Sequence, residues 1–200
     1  ADLEISSNQL PAPSVSKMLD SLGNNRSEER HFSSMVLFIK NNGTKLVQVR
    51  ALEGSFPYYG SLGTVPDSAG ISFRNKQQAL VDETLMLQYN ANVGDSIQVG
   101  EMKFAIAGKL LDAPGQTGFS SSIAPIVYIP LRYLKQTGLM QKGSRISYHY
   151  YYKYSRETDV QKMMDDMRQR LETDDLNYET VARQKEDTGR SFTDLTRFLS

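Results

Sequence analysis

The segment Ala79–Gly108 reads ALVDETLMLQYNANVGDSIQVGEMKFAIAG and carries the clearest folding signal in the chain. Its second half predicts a β-hairpin, because apolar and polar residues alternate over Ile97–Val99 and again over Phe104–Ile106, with a turn at Gly100-Glu101. Its first half, around Leu80–Leu87, is typical of a short strand followed by a helix. The segment therefore predicts a mainly-β region at the centre of the chain.

A strand–helix–strand pattern precedes this central region. Residues 2–7 alternate as a short strand, and Ser14 is placed to cap a helix by accepting a hydrogen bond from its first turn. A polar linker is expected over residues 24–30. The following run, residues 34–40, is almost continuously apolar, which predicts a strand covered on both faces. Asn41-Asn42-Gly43 then predicts a hairpin turn.

A second strand–helix–strand pattern lies near the C-terminus. Residues 145–154 predict a long strand, Thr158 or Asp159 can cap the next helix, and residues 177–182 predict a short strand. The helix has the cleanest apolar stripe in the chain, Val160, Met163, Met164, Met167 and Leu171. Two such units pair into one ferredoxin-like sheet with both helices on one side.

The stretch between the two patterns is expected to be an insertion. Residues 53–70 are rich in glycine and proline, which indicates a loop and a domain boundary. The sequence therefore predicts an α+β fold. One discontinuous βαβ subdomain is formed by residues 1–53 and 144–200, and a mainly-β subdomain is inserted over residues 54–143.

Composition and charge exclude several classes of protein. The 200 residues carry 23 basic and 23 acidic side chains, so the chain lacks the net positive charge of a typical nucleic-acid-binding protein. The chain has no cysteine, which excludes disulfides, thiolate metal sites and a cysteine nucleophile. No apolar run of 18 residues is present, so no segment of this sequence is expected to span a bilayer.

The sequence offers little for catalysis. A serine hydrolase would have to use His31 or His149 with a serine of Gly118–Ser122, which lacks the last glycine of the G-x-S-x-G motif. The pairs Asp165-Asp166 and Asp174-Asp175 are neighbours on helices, point about 100° apart and do not converge on a metal. No phosphate-binding motif is present. We therefore predict no catalytic site, no metal and no cofactor.

Aromatic residues are the most unusual local feature. Tyr148, Tyr150, Tyr152 and Tyr154 alternate along one strand, which suits either a stacking platform for sugars or single-stranded nucleic acid, or a half-buried strand. The absence of a basic groove favours the half-buried strand. The methionines of the helical stripe are likewise more typical of a core than of a binding surface.

A second aromatic cluster, Phe56-Pro57-Tyr58-Tyr59-Gly60, stands among the glycines and prolines of the 53–70 loop. It is interpreted as a lid, a partner contact or a packed loop. Contact or packing is favoured over catalysis, because the cluster contains no catalytic acid or base. The residues predicted to contact a partner or cargo are Phe56, Pro57, Tyr58, Tyr59 and Phe119.

The order of these motifs resembles the periplasmic core domain of MacB/FtsX-like ABC transporter permeases, and most closely the YbbP-like branch. The resemblance is carried by Asp2–Ile5, Leu52–Gly60, Val81–Gly108, Thr137–Leu139, Gly143–Arg145 and Phe192–Leu199. Each motif is weak alone, but their order over nearly the full chain is specific.

The resemblance implies a porter-like subdomain split by a Sabre-like one, and a mechanical role without catalysis. It implies a permease with four membrane helices in the bacterial inner membrane and this domain in the periplasm. The implied partners are a cytoplasmic ATPase subunit of the MacB/LolD type, a second permease copy or half, and a hydrophobic or lipid-like cargo. No nucleic acid is implied.

Two other functions stay open at this point. A stand-alone extracytoplasmic sensor or ligand-binding module predicts a well-formed pocket with converging polar groups. A serine hydrolase requires a histidine within about 3 Å of a serine hydroxyl.

The two ends of the sequence suggest how the domain is attached. The start at Ala1 without methionine suggests a processed or excised chain. The stripe at the other end, Phe192, Leu195, Phe198 and Leu199, suits either a helix leading into a membrane or an ordinary terminal helix.

Overall fold

The computed structural model describes residues 1–114, 124–141 and 143–181, in which strands outnumber helices. The strands are β1 (Leu3–Ser7), β2 (Arg26–Phe38), β3 (Gly43–Glu53), β4 (Gly63–Val65), β5 (Gln78–Asp82), β6 (Ser96–Val99), β7 (Met102–Asp112), β8 (Ile126–Pro130), β9 (Ser147–Tyr152) and β10 (Asn177–Thr180). The helices are α1 (Pro13–Ser21), α2 (Ala69–Ser72), α3 (Glu83–Gln88), α4 (Val160–Asp166) and α5 (Arg168–Thr173), with 3₁₀ helices at Phe73–Asn75, Leu131–Tyr133 and Lys135–Thr137. The predicted α+β class is confirmed.

The chain forms two compact units, one of Ala1–Arg26 with His149–Ser200 and one of Ser27–Tyr148. The second unit includes the β2–β3 hairpin, because β3 also pairs in parallel with β8 from the middle of the chain. The boundaries of these two units differ from the subdomain boundaries at 53/54 and 143/144 that the sequence predicts. The division into those subdomains stays a prediction.

In the first unit, β1 lies between β10 and β9 and pairs antiparallel with β10. Helix α1 packs on these strands, since the hydroxyl of Tyr152 in β9 donates a 2.7 Å hydrogen bond to the carbonyl of Leu19. Helix α5 lies beside α1, because Arg170 Nη2 donates to the Ser14 carbonyl at 3.1 Å. The terminal strand and helix patterns are therefore present, although the predicted terminal helix after residue 181 lies outside the described residues.

The details of the helices correct two predictions. Helix α1 begins at Pro13 after Ala12, without a side-chain cap, so the predicted cap by Ser14 is wrong. Asp159 does cap α4, accepting from the Lys162 amide at 3.0 Å. The apolar stripe is only partly buried: Met164 and Leu171 are buried, whereas Val160, Met163 and Met167 are half-buried. The helix is interrupted at Met167, so the stripe is divided between α4 and α5.

In the second unit, six strands pair in a closed ring in the order β2–β3–β8–β5–β7–β6 and back to β2, and β4 extends β7. Because side chains alternate across each strand, one set points into the ring. Fully buried members of that set are Val36, Val47, Val49, Val81, Ile97, Phe104 and Val127. The ring is therefore filled by its own apolar side chains.

The segment Gly63–Asn75 covers part of the outer face of the ring. Phe73 is fully buried, and its ring meets that of Tyr128 edge-on at 6.2 Å. Gly108 of β7 lies so close to Ala69 of α2 that an added Cβ would clash with it. This second apolar layer holds the pocket described below.

The opening segment, residues 79–108, folds as predicted into β5, α3 and the β6–β7 hairpin. Asp82 caps α3 by accepting from the Thr84 amide at 2.8 Å. The turn at Asn41-Asn42-Gly43 is also confirmed, with Asn42 at a φ of 53°. Local alternation and turn residues are sufficient to predict these elements.

Three other predictions in this unit are wrong. Residues 24–30 are not a linker, because β2 begins at Arg26. Residues 34–40 are not covered on both faces, since Met35 is 53% exposed while its neighbour Val36 is buried. The 53–70 loop contains strand β4.

The tyrosine strand is β9, shorter than predicted at Ser147–Tyr152. Tyr148, Tyr150 and Tyr152 are buried, which agrees with a packed strand and not with an open stacking platform. Two guanidinium groups cover these rings, Arg26 over Tyr150 at 5.7 Å and Arg30 over Tyr148 at 5.2 Å.

Across the described ranges, no helix has both the length and the apolar character needed to cross a bilayer.

Candidate functional site

The predicted aromatic contact residues follow β3 in the loop that leads to β4. Phe56 is 7% exposed, and its amide donates a 3.0 Å hydrogen bond to Ser27 Oγ. The rings of Phe56 and Tyr58 meet edge-on with their centroids 6.3 Å apart. Ser27 Oγ also lies 2.8 Å from the Tyr58 hydroxyl. Ser27 therefore ties two of the aromatic residues to the start of β2.

The four described residues of this cluster differ in exposure. Phe56 is buried and anchors the loop, whereas Tyr59 is 58% exposed and faces solvent. Pro57 and Tyr58 are half-buried. The fifth predicted residue, Phe119, lies outside the described residues. A rigid loop that displays an exposed aromatic side chain is suited to contact with another molecule.

Arg74 fixes the same loop from the other side. Its Nη1 atom donates to the carbonyls of Gly54 at 2.8 Å and Phe56 at 2.7 Å, and its Nε atom donates to the Gly70 carbonyl at 2.9 Å. Burial lowers the pKa of Arg74, while interactions with Tyr128 and Glu29 raise it. One guanidinium group thus joins the aromatic loop to α2.

A pocket of about 470 Å³ lies between this loop, α2 and the two 3₁₀ helices at 73–75 and 131–133. Its lining includes apolar side chains from Leu52, Leu62 and Ile71, and charged side chains from Arg74 and Arg132. Pockets of 300–1,000 Å³ are typical of small-molecule sites. The sequence did not reveal this pocket, because Arg74 and Arg132 are separated from the aromatic cluster in the chain and carry no motif.

A buried polar cluster lies on the outer face of β2, β3 and β8. Glu29 is 1% exposed, contacts His31 through Oε1 and lies 3.9 Å from Arg50 Nε, and its Oε2 has no hydrogen-bond partner among the described residues. Arg50 Nη1 donates to the Tyr128 hydroxyl at 3.2 Å and to the Pro114 carbonyl at 2.9 Å. Burial raises the pKa of Tyr128.

The histidines considered for hydrolysis are both paired with glutamates. His31 contacts Glu29, and His149 Nδ1 lies 2.8 Å from Glu4 Oε1. Ser120–Ser122, the serines considered as nucleophiles, lie outside the described residues. Within the described ranges, no group of three or more histidine, aspartate or glutamate side chains is placed to hold a metal ion.

Comparison with known proteins reveals one curated relative and several similar structures. The ABC transporter permease YbbP of Escherichia coli (strain K12), itself uncharacterized, is 34% identical over 110 residues, which are 53% of this chain and 13% of that protein. The matched part of the chain therefore spans about an eighth of the length of this relative.

Two crystal structures share the fold. The periplasmic region of MacB from Actinobacillus actinomycetemcomitans superposes with a TM-score of 0.56 at 12% identity, over 94% of this chain and 92% of that one. A domain of a putative permease protein from Porphyromonas gingivalis gives a TM-score of 0.51 at 14% identity, over 92% and 95% of the two chains.

The family comparison decides the assignment. The model of the MacB-like periplasmic core domain matches residues 5–170, which is most of the chain and covers the second compact unit and part of the first. The resemblance noted from the sequence is thus confirmed. The chain belongs to the MacB-like periplasmic core domain family, and it is a periplasmic domain of an ABC transporter permease.

Proposed function

We propose that this chain couples ATP hydrolysis in the cytoplasm to the movement or extraction of a cargo on the periplasmic side of the inner membrane. Support comes from its family and from its likeness to the permease YbbP. In this proposal the ATPase is a separate cytoplasmic subunit of the MacB/LolD type, reached through the membrane helices of the full-length permease. A second permease copy or half stands beside it, and the domain itself transmits motion without catalysing a reaction.

The observation that carries the proposal is the fixed aromatic loop. Ser27 and Arg74 hold its backbone with hydrogen bonds of 2.7–3.0 Å, while Tyr59 is left 58% exposed. A preorganised aromatic contact loses little conformational entropy when it binds. We therefore propose that Pro57, Tyr58 and Tyr59, with Phe119, contact a hydrophobic or lipid-like cargo or a partner, and that the buried Phe56 supports this contact by anchoring the loop.

The moving parts in this proposal are the two subdomains expected from the sequence. The porter-like part comprises residues 1–53 and 144–200, and the Sabre-like part comprises residues 54–143. The aromatic loop lies at the start of the Sabre-like part and is tied to Ser27 of β2, so in this proposal the loop moves together with β2 and β3, which pair with strands of that part.

Cysteine labelling in the full-length permease tests this proposal. The chain has no cysteine, so Tyr59→Cys gives a single reactive site in this domain. The matched control is Leu87→Cys, at a residue of α3 that is 83% exposed. A membrane-impermeant maleimide should label both variants in spheroplasts and neither from the cytoplasmic side.

The two sites should then respond differently to the ATPase. Inactivating its catalytic glutamate should change the labelling rate at Tyr59→Cys and leave that at Leu87→Cys unchanged, because only the loop is expected to meet cargo or partner. Labelling from the cytoplasm would refute the periplasmic location of the loop. Equal rates at Tyr59→Cys in both ATPase states would refute the coupling.

A further inference from the structure

Two arginines line the 470 Å³ pocket without forming an ion pair in the described part of the chain. The three hydrogen bonds of Arg74 use Nε and Nη1 and end on backbone carbonyls, and no described residue accepts a hydrogen bond from its Nη2 amino group. Arg132 Nη2 donates to Asn75 Oδ1 at 3.3 Å, and its other nitrogens form no hydrogen bond with the residues that the structure describes. Both guanidinium groups thus keep donors for a further partner.

The setting of Arg74 favours an anionic partner. Burial of this side chain lowers its pKa, which means that its cation has lost part of its hydration. A desolvated guanidinium gains from pairing with an anion, and its planar arrangement of N–H donors matches the oxygens of a carboxylate or phosphate. Arg132 adds a second positive charge at the mouth of the same pocket.

The rest of the lining suits an apolar group. Leu52 and Leu62 are 1% and 4% exposed and form the inner wall, whereas Ile71 is 71% exposed at the rim. Pro57 of the aromatic loop completes the apolar part. An exposed isoleucine in the same lining as two guanidinium groups that form no ion pair with the described residues matches a ligand with one charged end and one apolar end.

We propose that this pocket binds an amphipathic organic anion, with a carboxylate or phosphate head on Arg74 and Arg132 and an apolar part on Leu62, Ile71 and Pro57. Glu53 and Asp67 also line the pocket, and their negative charges oppose the head group. The site therefore selects a ligand of low charge. The inference goes beyond the transport proposal, because binding of such an anion to this chain requires neither the ATPase nor a transport step.

Titration of the isotopically labelled chain, followed by NMR, tests the ligand class. The probes are octanoate and octyl phosphate, below their micelle concentrations, with inorganic phosphate and octyl glucoside as partial mimics. The two alkyl anions should shift resonances of pocket residues such as Ile71 and Asn75 and should bind more tightly than either mimic. Inorganic phosphate binding as tightly as octyl phosphate, or octyl glucoside binding as tightly as the anions, would overturn the proposal.

Charge variants test the named residues. Arg132→Gln should weaken binding of octyl phosphate about five- to tenfold, because it removes a charge-assisted contact. Arg145→Gln, at an exposed arginine outside the pocket lining, should leave the affinity unchanged. Asp67→Asn should tighten binding, because it removes an opposing charge. Unchanged affinity in Arg132→Gln, or weaker binding in Asp67→Asn, would overturn the assignment of the head-group site.

Discussion

The Oγ atom of Ser27 lies 2.8 Å from the hydroxyl oxygen of Tyr58, 31 residues further along the chain. The same Oγ atom accepts the Phe56 amide at 3.0 Å. Ser27 is 1% exposed, so water cannot readily replace it as a partner. This buried hydroxyl joins the first residues of β2 to the aromatic loop and sets the position of the loop.

Replacing Ser27 with alanine should destabilise the chain. Ser27→Ala leaves the buried Phe56 amide without its acceptor, which costs about 1–3 kcal/mol. The free energy of unfolding in urea measures the loss. The matched control is Ser33→Ala, at an exposed serine of the same strand, which should change stability by less than about 0.5 kcal/mol. Equal effects of the two substitutions would show that Ser27 does not hold the loop.

Gly54 and Gly60, at the two ends of the aromatic loop, should differ in their tolerance of alanine. Both have a positive φ, 101° at Gly54 and 78° at Gly60, so alanine is strained at each by about 1 kcal/mol or more. A Cβ on Gly54 would also lie 2.9 Å from Ser27 Cα, whereas a Cβ on Gly60 meets nothing within 4 Å. Gly54→Ala should therefore have the lower melting temperature of the two. The reverse order would contradict the close approach of the loop to β2.

The sequence revealed the features that depend on neighbouring residues. The β6–β7 hairpin follows from the alternation around Gly100, and the aromatic loop follows from its own composition. The prediction of a linker over residues 24–30 is wrong because polar residues usually indicate exposure to solvent. In the structure Ser27 and Glu29 are buried on the outer face of the ring. That burial arises from the 54–75 segment that folds over the strand, and no local pattern around residue 27 encodes it.

The two arginines of the pocket also could not be predicted from their neighbours in the sequence. Arg74 contacts Gly54 and Phe56 across 18–20 residues, and Arg132 contacts Asn75 across 57. Arginines at such positions are indistinguishable in sequence from solvated ones. Only the pairing of β3 with β8, which brings the segment after β8 beside the end of β3, places Arg132 at the pocket.

Two stacked tyrosines of the first unit should respond oppositely to the loss of their hydroxyl groups. The rings of Tyr152 and Tyr154 are parallel with centroids 6.0 Å apart. The Tyr152 hydroxyl donates to the Leu19 carbonyl at 2.7 Å, whereas the buried Tyr154 hydroxyl has no partner among the described residues. Tyr152→Phe should cost about 0.5–1.5 kcal/mol, and Tyr154→Phe should be neutral or stabilising. Urea unfolding of both variants measures this, and a larger loss in Tyr154→Phe would contradict the contrast.

The buried phenol of Tyr128 should make the chain sensitive to alkali. Burial raises the pKa of Tyr128 and the nearby Glu29 raises it further, while Arg50 and Arg74 oppose the shift. A tyrosine in the unfolded chain titrates near pH 10. Below that pH the phenol is protonated in both states, so Tyr128 contributes its full stability there. As the pH rises above about 10, the unfolded chain loses the proton first, and the free energy of unfolding should fall by up to about 1.4 kcal/mol per pH unit.

The variant Tyr128→Phe isolates this contribution. The variant loses the hydrogen bond from Arg50 and should therefore be less stable at pH 8. Its free energy of unfolding should fall less steeply between pH 10 and 11, because it lacks a phenol whose pKa is raised in the folded chain. Tyr154, whose pKa is also raised by burial, remains in both chains and affects both curves equally. Urea unfolding at a series of pH values measures the two slopes. Identical slopes would mean that the Tyr128 phenol ionises alike in the folded and unfolded chain, and that burial beside Glu29 does not hold it in its protonated form.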